Sequence, residues 1–305
     1  AMDKVNLVAR DLWNLAGLPT DALQHLEFTG KSPLLQTSFH VALAAQATIG
    51  TAALAAAEIG GLRGAHPGRV TVDKHDAERE CTGYFTLNGH MPDVCAPLSG
   101  LYPCADGHVR IHANFDHHRD GALRLLGINK DPVSVSKEQI TAALSCWDAI
   151  AFETAAADLG LVVAAARTFR EWDQHPQAAA IREQPLISMT RIGSAKPIDN
   201  GRIPCAALPL SGVRVLDLTR ILAGPVCGRT LAAYGADVML VNSPNLPNIE
   251  AIAETSRGKR SVLLDLKTSD GPDLLRNLVA DAHVFIQGYR PGGLAALAFG
   301  ANDLA

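Results

Sequence analysis

The chain has 305 residues, 48% hydrophobic and only 5% aromatic, with a formal net charge of −4. That length can bury a sizeable core of Ala, Leu, Val and Ile in one large domain or two, and the composition excludes a disordered chain. The mildly acidic balance gives no electrostatic reason to expect nucleic acid, and no unbroken apolar run reaches the roughly 18 residues of a membrane span.

In chain order, residues 3–30 read as helical and peripheral. Residues 36–62 form a long alanine-rich helix closed by Gly60-Gly61; its most apolar part, Val41 to Ile59, carries Gln46, Thr48, Gly50 and Thr51 and reads as a buried helix. GRVTVD (68–73) is a strand after a Pro-Gly turn. YPCADGHVRIHANF, from Tyr102, has a turn at Asp106-Gly107 between two strand-like runs, the pattern of a hairpin. Helices are expected at about 117–127, 136–146 and 147–159, with another start before Glu171-Trp172. The proline-rich stretch 196–209 is the expected linker. These readings divide the chain into a helix-rich segment (1–100), a small α/β domain (101–195), the linker, and a final segment (210–305).

The N-terminus carries no basic region followed by an apolar core, the pattern of a signal peptide. The six cysteines form no CxxC pair, and Cys95 and Cys104 fit neither a zinc knuckle nor a redox dithiol. They read as reduced thiols of a cytoplasmic protein. His108, His112, His117 and His118 lack Cys or Glu at ligand spacing, so they read as polar surface and no metal is expected.

Residues 211–300 carry the strongest pattern. Four aliphatic, β-branched runs recur there, Val213–Leu218, Asp237–Val241, Arg260–Leu266 and His283–Gln287, with helix-like segments between some of them. Such alternation predicts a Rossmann-like parallel α/β sheet. Ligands of these sheets bind beyond the carboxyl ends of the strands, which makes Thr219–Pro225 and Gln287–Gly292 candidate binding loops. No G-x-G-x-x-G is present, which disfavours a dinucleotide site. Asp217 and Asp265, inside the apolar runs, read as structural.

The same stretch resembles the class III CoA-transferases, the family of formyl-CoA, carnitine and bile-acid CoA-transferases and α-methylacyl-CoA racemase. The resemblance lies in GVRVLDLTRILAGP (212–225), YGADV (234–238), GKRSVLLDLK (258–267) and GYRPGGL (288–294). SFHVALAAQATIGTAALAAAEIGG (38–61), GRVTVD and TFREWDQHPQ are similar to it less sharply. Segments that come late in the family come first here, which implies a permuted or two-module, incomplete α/β enzyme. Asn302-Asp303-Leu304-Ala305 reads as the cap and first turn of a further helix, so the chain is expected to continue.

The resemblance implies an enzyme that moves CoA between carboxylic acids, with acyl-CoA as substrate, no tightly bound cofactor, and an interlocked homodimer. Its chemistry needs a carboxylate that attacks the thioester, donors for the oxyanion, and a grip on the long CoA handle. For that grip it implies Arg220, Ile221, Leu222 and Ala223 in the first loop, Lys259 and Arg260 before the third strand, and Gln287, Gly288, Tyr289 and Arg290 after the fourth. The family's nucleophilic aspartate stands a few residues before the alanine-rich helix. The matching stretch here, KSPLLQTSFH (31–40), has Leu34 and Leu35 and no carboxylate. No catalytic residue is therefore assigned, the aspartate is expected outside the chain, and the chain alone is expected to be inactive. Two alternatives stay open: a non-catalytic CoA-binding partner subunit, and α-methylacyl-CoA racemase chemistry.

Overall fold

The structure is a computed structural model that describes residues 3–31, 33–65, 68–83, 85–93, 95–195 and 207–305. These pack as two compact units, one of residues 1–92 with 185–305 and one of residues 93–184.

The first unit opens with α1 (Lys4–Leu15), which lays Val5, Ala9 and Trp13 against the core. Residues 26–29, expected to be helical, are instead the strand β1 (Leu26–Thr29). Four residues are too few to display a clear period of two, so the pattern is visible only once the partner strand is known. Next come α2 (Val41–Leu62), β2 (Val70–Asp73) and α3 (Lys74–Thr82). β1 and β2 pair in parallel, Leu26 opposite Val70 through Thr29 opposite Asp73, with α2 as the crossover.

Helix α2 begins at Val41 rather than residue 36, and Gly60-Gly61 lie inside its last turn. The terminator is Gly64, at φ 90°, with Ala65 N–H bonding Gly60 O and Gly64 N–H bonding Gly61 O. This is the Schellman arrangement, which needs a residue that tolerates a left-handed backbone. The helix is also less enclosed than expected. It is long and apolar enough to cross a membrane by length and composition, and 33% of its most apolar stretch is buried in this chain. The face that is buried carries Ala45, Ala47, Gly50, Leu54 and Ala56. A Cβ on Gly50 would come within 2.7 Å of the Phe28 ring, so glycine there sets how closely α2 rides on β1.

The second unit holds β3 (Gly100–Pro103) and β4 (His108–Ile111), the expected hairpin, followed by α4 (Asp116–Leu125), α5 (Lys137–Leu144), α6 (Ala149–Asp158), β5 (Val163–Ala165), α7 (Phe169–Asp173) and α8 (Pro176–Arg182). Its antiparallel sheet has the order β3-β4-β5. Strand β4 alternates buried Val109 and Ile111 with exposed His108 and Arg110, and Leu144 and Phe152 complete the core beneath it.

After residues 196–206, where most of the expected linker lies outside the described residues, the first unit resumes with β6 (Arg214–Leu218), α9 (Ala223–Ala233), β7 (Asp237–Asn242), α10 (Ile252–Thr255), β8 (Arg260–Leu263), α11 (Gly271–Ala280) and β9 (Val284–Gln287). The four strands form an all-parallel sheet in the order β8-β7-β6-β9, as the apolar runs predict. Two corrections apply. The third run stops at Leu263, leaving Asp265 in a loop. Residues 302–305 do not open a helix but belong to a turn in which Gly300 O accepts from Asp303 and Leu304 N–H. Arg63, just past α2, donates to Pro209 O at 2.7 Å and Ser211 O at 2.8 Å, fastening the approach to β6 onto the earlier half of the same unit.

Two predictions follow from these contacts. Arg63→Ala removes two charge-assisted hydrogen bonds and lowers the unfolding free energy by about 2 kcal/mol, measurable by urea titration. In the second unit, a hydrogen bond from Arg167 holds the Glu153 carboxyl below its usual value. A depressed carboxyl adds stability that is present above its unfolded value of about 4.3 and is lost as pH falls through the folded value. Melting temperature is therefore expected to decline as the solution is acidified below about pH 4.3, and Arg167→Met is expected to flatten that decline.

Candidate functional site

Beneath the first candidate loop lies a buried ion pair. Lys259 Nζ donates to Asp217 Oδ2 at 2.9 Å and to Pro225 O at 2.7 Å, and both charged side chains are wholly enclosed. Thr219 Oγ1 donates to the other oxygen, Asp217 Oδ1, at 2.5 Å. One carboxylate thus joins the end of β6, the loop after it, and the first turn of α9. Helix α9 approaches this closely because Gly224 and Gly228 face the strand. A Cβ on Gly228 would stand 2.1 Å from Asp217 Oδ2, and one on Gly224 would stand 2.5 Å from Thr219 Cβ.

The loop held this way is strained. Ile221 sits at φ 74°, a left-handed conformation that is a clear outlier for a β-branched side chain. Arg220 turns outward to the Pro247 carbonyl. The α9 N-terminus falls at Ala223, with Pro225 as its third residue, where a missing N–H is no loss. Cys227, on the same helix, is pushed up by desolvation and by the Asp217 charge, with Lys259 opposing, so it stays a thiol at neutral pH.

Since β6 and β9 are neighbours, the loop Gln287–Gly292 lies beside Thr219–Pro225: a Cβ on Gly288 would come within 3.6 Å of Thr219 Cγ2. Gln287 Oε1 accepts from Tyr289 N–H at 3.0 Å, which tightens that turn. Burial pushes the Tyr289 hydroxyl up, and the nearby Arg220 charge partly opposes it. Tyr289 also walls a crevice of about 290 Å³ at the carboxyl ends of β6, β7 and β8, with Leu218, Val241, Leu246, Leu264 and Leu266 as apolar lining. Asn242, Ser243, Asn245, Asp265 and Lys267 form its polar side. Asp265 accepts from Lys267 N–H and Asn245 Nδ2, which hold its carboxyl below the usual range. Of this polar side the sequence singles out only Asp265, and that as a structural residue. The signal available was Asn-Ser-Pro-Asn directly after β7 and Asp-Leu-Lys after β8, since the carboxyl-end rule applies to those loops as well.

The structure thus brings Arg220, Ile221, Leu222, Ala223, Gln287, Gly288, Tyr289 and Arg290 to one edge of the sheet. The two remaining residues stand apart. Lys259 lies under the loop with its ammonium spent on Asp217 and Pro225. Arg260 begins β8, and its guanidinium is paired with Asp237 at the start of β7, towards the amino ends of the strands. His112, His117 and His118 make ring contacts around Phe115, and among the described residues no three His, Cys, Asp or Glu side chains converge as metal ligands.

A parallel sheet with two loops and an apolar crevice at its carboxyl edge is the arrangement of an α/β ligand-binding protein. Residues 210–305 match the model of CoA-transferase family III, and that segment is similar to the family. An acyl-CoA transferase of Gibberella moniliformis is 30% identical over 214 residues, covering 66% of this chain and 37% of its own length. A succinate–glutarate CoA-transferase of Agrobacterium fabrum is 42% identical over 106 residues, 28% of this chain and 26% of its own. Among solved structures, a CAIB/BAIF family protein from Brucella suis is 37% identical, covering 32% of this chain and 30% of its own, with a TM-score of 0.30. The chain thus spans a quarter to two fifths of the curated relatives.

Breaking the buried pair tests its place in this site. Lys259→Met leaves Asp217 charged and enclosed and is expected to cost about 3–5 kcal/mol in urea unfolding, while Asp217→Leu combined with Lys259→Met recovers most of the loss. Gly228→Ala, which drives a methyl into the same carboxylate, is expected to lower stability without changing any charge.

Proposed function

We propose that the carboxyl edge of the β8-β7-β6-β9 sheet binds the CoA part of an acyl-CoA, and that the chain serves in the transfer of CoA between carboxylic acids. The observation that carries this reading is the adjacency of Thr219–Pro225 and Gln287–Gly292 above β6 and β9, in the segment that matches family III. Arg220 and Arg290 supply cations for the phosphates, and the α9 N-terminus and the glycine backbone of the second loop add donors beside them. Tyr289 and the apolar crevice offer a flat surface to the adenine or the pantetheine arm. Lys259 contributes from beneath by fixing the loop.

The succinate–glutarate and formyl-CoA:oxalate transferases among the relatives favour small carboxylic acids as donor and acceptor. A second copy or a partner chain completes the assembly, and the exposed edge strand β8, where Leu263 is 68% exposed, is the surface that such a chain would cover.

Titration calorimetry with CoA tests the site directly. Arg220→Ala and Arg290→Ala are each expected to weaken CoA binding about tenfold or more while leaving pantetheine binding nearly unchanged, since only CoA carries the phosphates. Equal losses for both ligands, or no binding of CoA to the wild-type protein, would refute the assignment. A second reading, a CoA-binding subunit without chemistry of its own, is favoured by the absence of a carboxylate in residues 31–40. CoA transfer by the purified chain excludes that reading. Exchange of a substrate α-proton with deuterated solvent, without CoA transfer, selects racemase chemistry instead.

A further inference from the structure

The stretch Ser243–Ile249, between β7 and α10, crosses the carboxyl end of the sheet beside the candidate CoA loop. Its sequence makes it stiff. Pro244 and Pro247 have a fixed φ, and each also restricts the residue before it, Ser243 and Leu246. Asn245 and Asn248 are the softer joints, and each is pinned through its side chain. Asn245 Nδ2 donates to Asp265 Oδ2 at 2.8 Å, and Asn248 Nδ2 donates to Asn242 Oδ1 at 3.2 Å. The third fastening comes from the candidate loop, where the Arg220 guanidinium donates to Pro247 O. Beneath the stretch, Thr219, Arg220 and Pro225 face Asn248, Ile249 and Ile252 across a space of about 10 Å³. That is about the room one water needs, and a phosphate group is several times larger. On the other side lies the crevice of about 290 Å³, with Leu246 in its wall and Asn242 lining both spaces.

We propose that Ser243–Ile249 is a strap latched over the phosphate seat at Arg220, and that a CoA phosphate opens it by taking the guanidinium from Pro247; this rests on the CoA-binding reading above. With the strap down the seat has no room for a phosphate, so the two occupants exclude each other. Pro247 O offers the guanidinium one neutral acceptor. A phosphate offers two parallel bonds and an opposite charge, so the exchange of partners favours the ligand. Asn245, tied to Asp265, is the pivot, and Asn248 leaves Asn242 as the strap lifts. At the far end Glu254 holds α10 to Arg229, so the strap moves against a fixed helix. The junction is what gives way: Ile252 N–H donates to Ile249 O at 3.0 Å and Ala253 N–H to Glu250 O at 3.1 Å. The pantetheine arm, lying in the crevice, takes no part in this exchange. A ligand without phosphates therefore leaves the strap closed.

Hydrogen exchange read by mass spectrometry follows the strap in the wild-type chain. CoA is expected to speed exchange at Ile252 and Ala253 about fivefold or more, and pantetheine to leave it unchanged. Asn248→Ala frees one joint without touching a phosphate contact, and so raises the open population. It is expected to tighten CoA about threefold in titration calorimetry, since affinity scales with the competent fraction, and to leave pantetheine as it was. A joint that only stabilises the fold would leave CoA affinity unchanged or weaken it. CoA binding with exchange at Ile252 and Ala253 unchanged or slowed would overturn the strap and leave the CoA site standing. Equal acceleration by pantetheine would do the same. Failure of CoA to bind the wild-type chain removes both. The wild-type exchange depends on no variant, so an unstable Asn248→Ala would not blunt the test.

Discussion

The Asp217–Lys259 pair is the constraint around which the C-terminal half of the first unit is arranged. A charge enclosed among aliphatic strands is tolerated only when each of its polar atoms is met. Asp217 has both oxygens engaged, one by Thr219 and one by Lys259, and Lys259 has a second acceptor in Pro225 O. Because these partners come from β6, the loop after it, α9 and the approach to β8, the pair fixes four pieces of chain in one place. The glycines at 224 and 228 are its consequence, since any side chain there would stand where the carboxylate and Thr219 already are. Ile221 is a second consequence: a loop tied at Thr219 and again at Pro225 has little freedom left between, and its strain of about 1–3 kcal/mol is carried by the anchors on either side.

A similar economy of polar contacts joins the two sequence halves of the first unit. Arg229 of α9 is almost enclosed and pairs with Glu254 of α10 and with Glu80 of α3, while Arg257 shares Glu254. Arg63 holds the carbonyls of Pro209 and Ser211. Helix α2 and the β1–β2 pair therefore serve as a base for the second sheet, although more than a hundred residues intervene. Buried ion pairs add less net stability than well-packed apolar contacts, but they penalise any arrangement in which the partners are separated. Here that penalty falls on any alternative docking of α9 and α3.

The sequence made the parallel sheet legible because its strands are near-continuous aliphatic runs, and a strand buried on both faces has little else to be. The carboxyl-end rule then located both loops. What stayed hidden was determined by tertiary proximity. Lys259 and Arg260 look alike in GKR, yet one turns inward to Asp217 and the other to Asp237 at the surface, and no local pattern separates them. β1 was concealed by its brevity, and the true start of α2 by Gln36 to His40, which have acceptable helical residues but no packed face. The crevice residues Asn245, Asp265 and Lys267 lie in polar turns that resemble any other loop until β7 and β8 are known to be neighbours.

Glu78 shows the same limit from the opposite direction. In KHDAERECT it is one of several acids on a polar helix, and nothing in that string distinguishes it from Asp76 or Glu80. Asp76 is exposed beside Arg79, and Glu80 is half-exposed beside Arg229, so each acid has a cation to answer it. Among the described residues, Glu78 is turned into the core and is met by the main-chain N–H groups of Leu34 and Leu35. Two neutral donors leave most of a carboxylate's charge unanswered, whereas a cation would have cancelled it. A fold that needed only a clamp at Leu34 and Leu35 could meet those donors with a neutral Gln or Asn oxygen at lower desolvation cost.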